Sequence, residues 1–186
     1  MRMMYHGHDP RIDIERGITA MLNKTVQDAI NEQIKHEFFS AHLYLSMAAY
    51  CDAINLPGAA HWMRLQSQEE RAHAMKFFDF VRDRSGRVLL RAIEQPPVEF
   101  QSPLDVFQQA LEHEREVSAL INKLYEIALK EADYPTQAFL QWFITEQVEE
   151  EKNAEQIIQQ IKMVGDSSAA LLMLDRDLGA RAPAPA

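Results

Sequence analysis

Four long stretches of this chain carry an apolar stripe with helical spacing, and each stripe has a polar residue near its middle. The polar residues are Glu37, Glu70, Glu114 and Gln147. Because antiparallel packing of helices of similar length brings their midpoints to one level, we expect these side chains to meet in the core. Buried carboxylates are costly unless a cation meets them, so the pattern predicts a metal site inside a four-helix bundle.

The composition also favours helices. Gly is scarce, at 6 of 186 residues, and Val and Thr do not form the alternating runs of a half-buried sheet. The hydrophobic fraction of 47% and the charged fraction of 25% are ordinary for a globular protein. We therefore expect an all-α fold in which four antiparallel helices form a bundle and a short fifth helix follows.

Turn and capping residues divide the chain into these helices. The predicted helices cover residues 23–52, 57–84, the segment opened by Ser102 and Pro103, the segment after the turn at 133–135 that ends at Gly165, and 167–178. The connection at 87–101 is too long for a tight turn and is expected to cross over along the bundle. Within it, Val88 to Leu90 is expected to pair as a short strand or to pack on a neighbouring subunit.

The ends of the chain lie outside this pattern. Residues 1–20 are mixed and charged and are predicted to be an extension, whereas residues 21–179 form a single domain. The closing residues 180–186, rich in Ala and Pro, are predicted to be a disordered tail.

Charge and cysteine content exclude several classes of function. The net charge of −9 disfavours nucleic acid and anionic lipid as partners and attracts cations. Cys51 is the single cysteine, so neither an internal disulfide nor a Cys-rich metal site can form. The chain shows neither a signal peptide nor an apolar run long enough to span a bilayer, which predicts a cytoplasmic protein.

The donors in the stripes indicate which metal would bind. His73 follows Glu70 by three residues and therefore lies on the same helix face. Carboxylates with one imidazole suit iron or manganese and tolerate zinc. We expect Glu70 to bridge two ions, with His73 holding one of them and Glu37 the other. Glu114 would complete the shell of the second ion.

Tyr44 and the acidic run 146–151 are further candidates for the functional site, and each also has a purely structural interpretation. Tyr44 stands seven residues after Glu37 on the same face, where packing in the core and a redox role are equally supported. The acidic run 146–151 is by default a solvated face. Glu150 lies on the stripe, three residues after Gln147, and is favoured as a ligand.

The four helices resemble those of the bacterial non-haem ferritins. The matching segments are NEQIKHEFFSAHLYLSM, QEERAHAMKFFDF, HEREVSALINKL and YPTQAFLQWFITEQVEEEK, and the resemblance covers residues 21–178. It implies a ferritin-like four-helix bundle with a di-iron oxidation centre. The centre would be formed by Glu37, Glu70, His73, Glu114 and Gln147, with Tyr44 nearby. A third iron site would be formed by Glu69, Glu146, Glu149 and Glu150.

The resemblance also implies a function. The expected protein is a ferroxidase that stores iron, oxidising Fe(II) with dioxygen or peroxide inside a homo-oligomeric cage of 24 subunits. Arg71 stands where the haem-binding relatives have a haem-ligating Met, so no haem is expected. The alternative is a di-iron oxidase that does not store iron. A DNA-protecting shell is disfavoured by the acidic charge.

Overall fold

The computed structural model describes residues 22–183. The predicted extension at 1–20 and the end of the tail at 184–186 lie outside the described residues. None of the helices in the described part combines the length and the hydrophobicity that crossing a bilayer requires.

Five helices follow one another within the described residues. They are α1 (Lys24–Ala53), α2 (Pro57–Asp83), α3 (Pro103–Lys130), α4 (Tyr134–Val164) and α5 (Ser168–Leu178). Residues 22–183 contain no strand, so the predicted all-α fold is confirmed. Short turns join α1 to α2 and α3 to α4, which makes each pair antiparallel neighbours.

Side-chain caps fix where three of the long helices begin. The side chain of Asn23 accepts a hydrogen bond from the backbone N–H of Thr25, at 2.7 Å, at the start of α1. Ser102 does the same for α3, and Asp133 does so for α4. Each cap satisfies an N–H that the helix leaves without a partner. The caps therefore set the level of each helix, and with it the level of the central polar residues.

The connection between α2 and α3 runs along the length of α1, as predicted. Near the start of α1, the side chain of Asn31 binds the carbonyl of Arg87 at 3.1 Å and the N–H of Leu89 at 2.9 Å. Near its end, the hydroxyl of Ser46 donates to the carbonyl of Pro97 at 2.5 Å. The apolar run around Leu89 forms no strand in the described chain, because Asn31 takes the hydrogen bonds that a partner strand would take.

Two apolar clusters fill the bundle, one on each side of the central polar residues. The first joins the end of α1 to the start of α2 and α3 and includes Met47, Met63, Phe107 and Ile157. The second fills the opposite half and includes Ile30, Phe77, Ile121 and Phe143. Water is thus excluded above and below the polar level, which makes unpaired charges there costly.

The short helix α5 docks on the beginning of α2 through a buried carboxylate. Asp175 accepts hydrogen bonds from the backbone N–H of Gly58 at 3.1 Å and of Ala59 at 2.8 Å. Leu56, the residue before α2, provides no side-chain cap, so Asp175 acts in its place. The contact requires glycine, because a Cβ on Gly58 would lie 1.6 Å from the carbonyl oxygen of Asp175.

We expect D175A to lower the thermal unfolding midpoint and to loosen α5 first. The loss should be about 1–2 kcal/mol, because two buried N–H groups lose their partner. Differential scanning calorimetry at matched subunit concentration measures it. D177A, which removes an exposed carboxylate from the same helix, is the control. Equal midpoints for the two variants would show that Asp175 contributes nothing to the docking of α5.

The chain after α5 does not leave the bundle at once. The guanidinium of Arg181 lies over the ring of Trp62, 4.5 Å from its centroid, and the carbonyl of Arg181 lies 3.0 Å from Nε2 of His61. Arg181 thus differs from the disordered tail that the composition predicts for residues 180–186. Cation–π contact and hydrogen bonds with α2 outweigh the local preference of Ala and Pro.

Candidate metal centre

Glu37, Glu70 and His73 come together at the centre of the bundle. One ligand atom from each lies within 4.8 Å of the others, and all three side chains are buried. Glu37 comes from α1, and the other two come from adjacent turns of α2. Nδ1 of His73 lies 3.5 Å from Oε2 of Glu70. Because Glu70 and His73 are three residues apart, their carboxylate and imidazole lie on the same face of α2.

One oxygen of Glu37 has no partner within the described structure. Oε1 accepts a hydrogen bond from Nε2 of Gln33 at 2.8 Å, but Oε2 is buried without any hydrogen bond. An unsatisfied buried acceptor costs about 1–3 kcal/mol, and more when it is charged. A cation held between Glu37, Glu70 and His73 would satisfy this oxygen. The donor set and the orphaned atom therefore fit a metal ion.

Glu114 of α3 is held from two sides. The hydroxyl of Tyr44 donates to its Oε1. Nε2 of Gln147 donates to its Oε2 and to its backbone carbonyl, both at 3.1 Å. These bonds explain the amide at position 147, since a second carboxylate there would repel Glu114. The structure thus brings Glu114, Gln147 and Tyr44 to the same level as the cluster.

Glu150 of α4 is tied to α2 through a glutamine. Nε2 of Gln66 donates to Oε2 of Glu150 at 2.8 Å and lies 3.3 Å from Oε1 of Glu70. Sequence reasoning missed both Gln66 and Gln33. The signal was present, because each stands four residues before a predicted ligand, and such residues share a helix face.

The other residues of the implied third iron site lie outside the buried cluster. Glu69 is partly buried, and its Oε2 accepts a hydrogen bond from Nη2 of Arg181 at 2.5 Å. Glu146 is partly buried and Glu149 is exposed, both on α4. Only Glu150 of this set turns into the core. The sequence contains no signal that predicts the contact with Arg181.

Burial raises the pKa of the central carboxyl groups. It brings the pKa of Glu37 to about 8, with the charge of Glu70 adding to the effect. Burial also raises the pKa of Glu70 well above its usual range and that of Glu150 to about 7. Without a cation the site therefore holds protons near neutral pH, and a bound cation must displace them.

Tyr44 remains a hydrogen-bond donor in this environment. Burial raises the pKa of its hydroxyl well above the usual value, and the neighbouring charge of Glu114 adds to the rise. The protonated hydroxyl donates to Glu114, whose own pKa burial raises. Tyr44 is thus placed to hold a ligand in position rather than to bind an ion itself.

Aromatic rings surround the imidazole of His73. Trp142 meets it edge-on with centroids 5.4 Å apart, and Phe143 does so at 5.9 Å. Lys76 lies 4.2 Å above the ring of Trp142, whose other side remains partly exposed to solvent. The ring of His73 is therefore held by packing, with Nδ1 turned toward Glu70.

The donor chemistry limits the ions that fit. Two carboxylates and one imidazole converge from α1 and α2, a third carboxylate from α3 lies beside them, and no thiol belongs to this set in the described structure. Oxygen-rich sets with a single imidazole suit the first-row divalent ions and disfavour soft ions such as Cu(I). The site can hold Fe(II), Mn(II) or Zn(II).

Comparison with known proteins agrees with this architecture. A family model described as a ferritin-like domain matches residues 27–164. The bacterial non-heme ferritin of Staphylococcus aureus is 42% identical over 161 residues, covering 87% of this chain and 97% of the relative. The protein of the same description from Staphylococcus saprophyticus is also 42% identical, covering 87% and 96%.

Solved structures extend the likeness to three dimensions. The open-pore ferritin of the hyperthermophilic archaeon Archaeoglobus fulgidus is 48% identical with a TM-score of 0.86, covering 87% of this chain and 99% of that one. A closed form of this ferritin, engineered by site-directed mutagenesis, is 49% identical with a TM-score of 0.86, covering 87% and 98%. Since the family model spans most of the chain and these relatives match along nearly their whole length, the chain belongs to the ferritin family.

Proposed function

We propose that this protein stores and detoxifies iron, oxidising Fe(II) at the buried centre and keeping the ferric product inside a cage. The observation that carries the proposal is the buried cluster of Glu37, Glu70 and His73, in which an oxygen of Glu37 has no hydrogen-bond partner among residues 22–183. Membership of the ferritin family supports the same function. Iron is here the substrate and the cargo.

Each residue of the centre has a distinct role in the proposal. Because Glu37, Glu70 and His73 form one cluster, the proposal puts Glu37 and His73 on the same Fe(II) and not on different ions as the sequence suggested. Glu70 bridges the two ions, and Glu114 holds the second. Gln147, a neutral ligand beside Glu114, leaves the second ion more loosely held. Oxidised iron can then leave this position before it leaves the first.

The oxidation balances with groups in the site. Two Fe(II) ions give one electron each, and dioxygen takes both electrons with two protons to form hydrogen peroxide. Binding of the ions displaces protons from carboxyls whose pKa burial has raised, above all Glu37 and Glu70. These displaced protons are available to the reduction of dioxygen, which consumes two of them. Tyr44 keeps Glu114 oriented while these charges change.

Acidic residues on one side of the centre provide an exit. We assign the third iron site to Glu69, Glu146, Glu149 and Glu150, of which Glu150 contacts the centre through Gln66. Exposed apolar side chains, among them Met163, Leu172 and Met173, are available for contacts between subunits. A homo-oligomeric cage of 24 subunits in the cytoplasm, serving iron homeostasis, completes the proposal.

Aerobic loading tests storage directly. Apo-protein receives a large excess of Fe(II) and is then passed over a sizing column with iron and protein detected together. We expect iron to elute with protein at a very large mass, in amounts far above a few ions per chain. Fast oxidation that leaves two or three ions per chain would contradict storage and favour the non-storing di-iron oxidase.

A further inference from the structure

Arg181 reaches the edge of the candidate metal centre from the end of the chain. It follows α5, and a hydrogen bond from its N–H to the carbonyl of Leu178, at 3.2 Å, continues the turn. Its guanidinium lies along α2, over the ring of Trp62. The side chain is about one-fifth exposed, at 21%. Arg181 is therefore a fixed and largely desolvated cation rather than a solvated tail residue.

The guanidinium binds two polar residues of α2, of which only Gln66 also contacts the centre within the described structure. Nη2 donates to Oε2 of Glu69 at 2.5 Å, and Nη1 donates to Oε1 of Gln66 at 2.9 Å. Because Oε1 of Gln66 accepts from Arg181, its Nε2 must point the other way. That amide nitrogen is the group that donates to Glu150 and lies near Glu70. The orientation of Gln66 thus depends on Arg181.

The contact with Glu69 has a further consequence. The side chain of Glu69 is 17% exposed, so its ion pair with Arg181 is shielded from water on most sides. A carboxylate paired in this way already has its cation. A metal ion that uses Glu69 must first displace the guanidinium, which rotation about the side-chain bonds of Arg181 permits without any movement of α5.

We propose that Arg181 is a tethered cation that competes with a metal ion for Glu69 and so gates the exit from the buried centre. This inference rests on the proposed function and adds its regulation. With Arg181 in place, ions fill the buried centre and Gln66 stays turned toward Glu70 and Glu150. When an ion moves toward Glu69 and Glu150, the guanidinium swings away and Gln66 is released.

The two tryptophans make the gate observable. The chain has 2 tryptophans, Trp62 under Arg181 and Trp142 beside His73. In the W142F variant, fluorescence reports only the ring that Arg181 covers. In the W62F variant, fluorescence reports only the ring beside the buried centre. Displacement of Arg181 and filling of the centre thus give separate signals.

The experiment titrates anaerobic apo-protein with Zn(II), a redox-inert probe, by calorimetry and fluorescence. In W62F we expect the signal to change with the first two ions. In W142F we expect it to change with a third, weaker ion. Adding R181A should tighten the third ion about tenfold and remove the late signal of Trp62, leaving the first two ions unchanged. R181K keeps the charge but not the bidentate geometry, so its affinity for the third ion should lie between those of the parent and of R181A.

Outcomes separate the gate from a structural role and from the proposed function. A third ion bound equally in R181A and the parent would overturn the gate, as would a Trp62 signal that survives R181A. If the first two ions also fail to bind the parent, the proposed function fails as well. The double variant R181A/E69Q should lose the tightened ion, and its retention would show that Glu69 is not the competing ligand.

Discussion

Replacing Glu70 and His73 together by alanine should abolish fast oxidation of Fe(II) while the protein still folds and assembles. These residues supply the proposed bridge and the imidazole, and both are buried at the cluster. Loss of direct ligands should slow oxidation by at least about a hundredfold. The fold should survive, because the change removes a buried carboxyl whose pKa is already raised and alanine favours helix. Stopped-flow absorbance after mixing with Fe(II) measures the rate.

A matched variant separates this effect from general damage. E116A removes an exposed carboxylate from α3, two residues from Glu114 but facing solvent. It should oxidise Fe(II) as fast as the parent, and both variants should elute at the size of the parent assembly. Unchanged fast oxidation in E70A/H73A would refute the assignment of the centre. If E70A/H73A does not assemble, the same rate is measured for E70Q, which keeps the shape of the side chain.

The helices and their alignment could be predicted because two local rules agree. The apolar spacing defines the stripe of each helix, and the caps Asn23, Ser102 and Asp133 define where three of them begin. Helices of similar length with aligned ends have aligned midpoints. That is why Glu37 and Glu70, far apart in the chain, could be expected to meet.

The residues around the centre could be predicted only in part. Gln33 and Gln66 share a helix face with Glu37 and Glu70. The sequence alone, however, does not indicate which group a buried glutamine side chain will bind. The contact of Arg181 depends on how α5 docks through Asp175. Docking of this kind is a tertiary event, which local composition does not encode. The same is true of Asn31, whose bonds to the crossover replace the short strand that was one of the two structures expected there.

The largest expected effect on stability comes from E37Q, and its sign should depend on pH and on metal. Burial raises the pKa of Glu37 from 4.5 to about 8, so the native apo-protein keeps a proton that the unfolded chain releases. The stability of the apo-protein should therefore fall as the pH rises from about 5 to about 8. Each unit of pKa shift corresponds to about 1.4 kcal/mol, so the loss should reach a few kcal/mol.

Glutamine at this position removes the cost of ionisation but keeps an oxygen for the amide of Gln33. Metal-free E37Q should thus match the parent near pH 5, exceed its unfolding temperature near pH 8, and show a shallower decline between them. Zn(II) should reverse the order, because the parent gains a bound ion that the variant holds weakly. Calorimetric scans at matched subunit concentration, with E116Q as the exposed control, measure both curves. A metal-free variant less stable than the parent near pH 8 would show that the charge of Glu37 already stabilises the native protein, and the argument for a cation at the orphaned oxygen would fail.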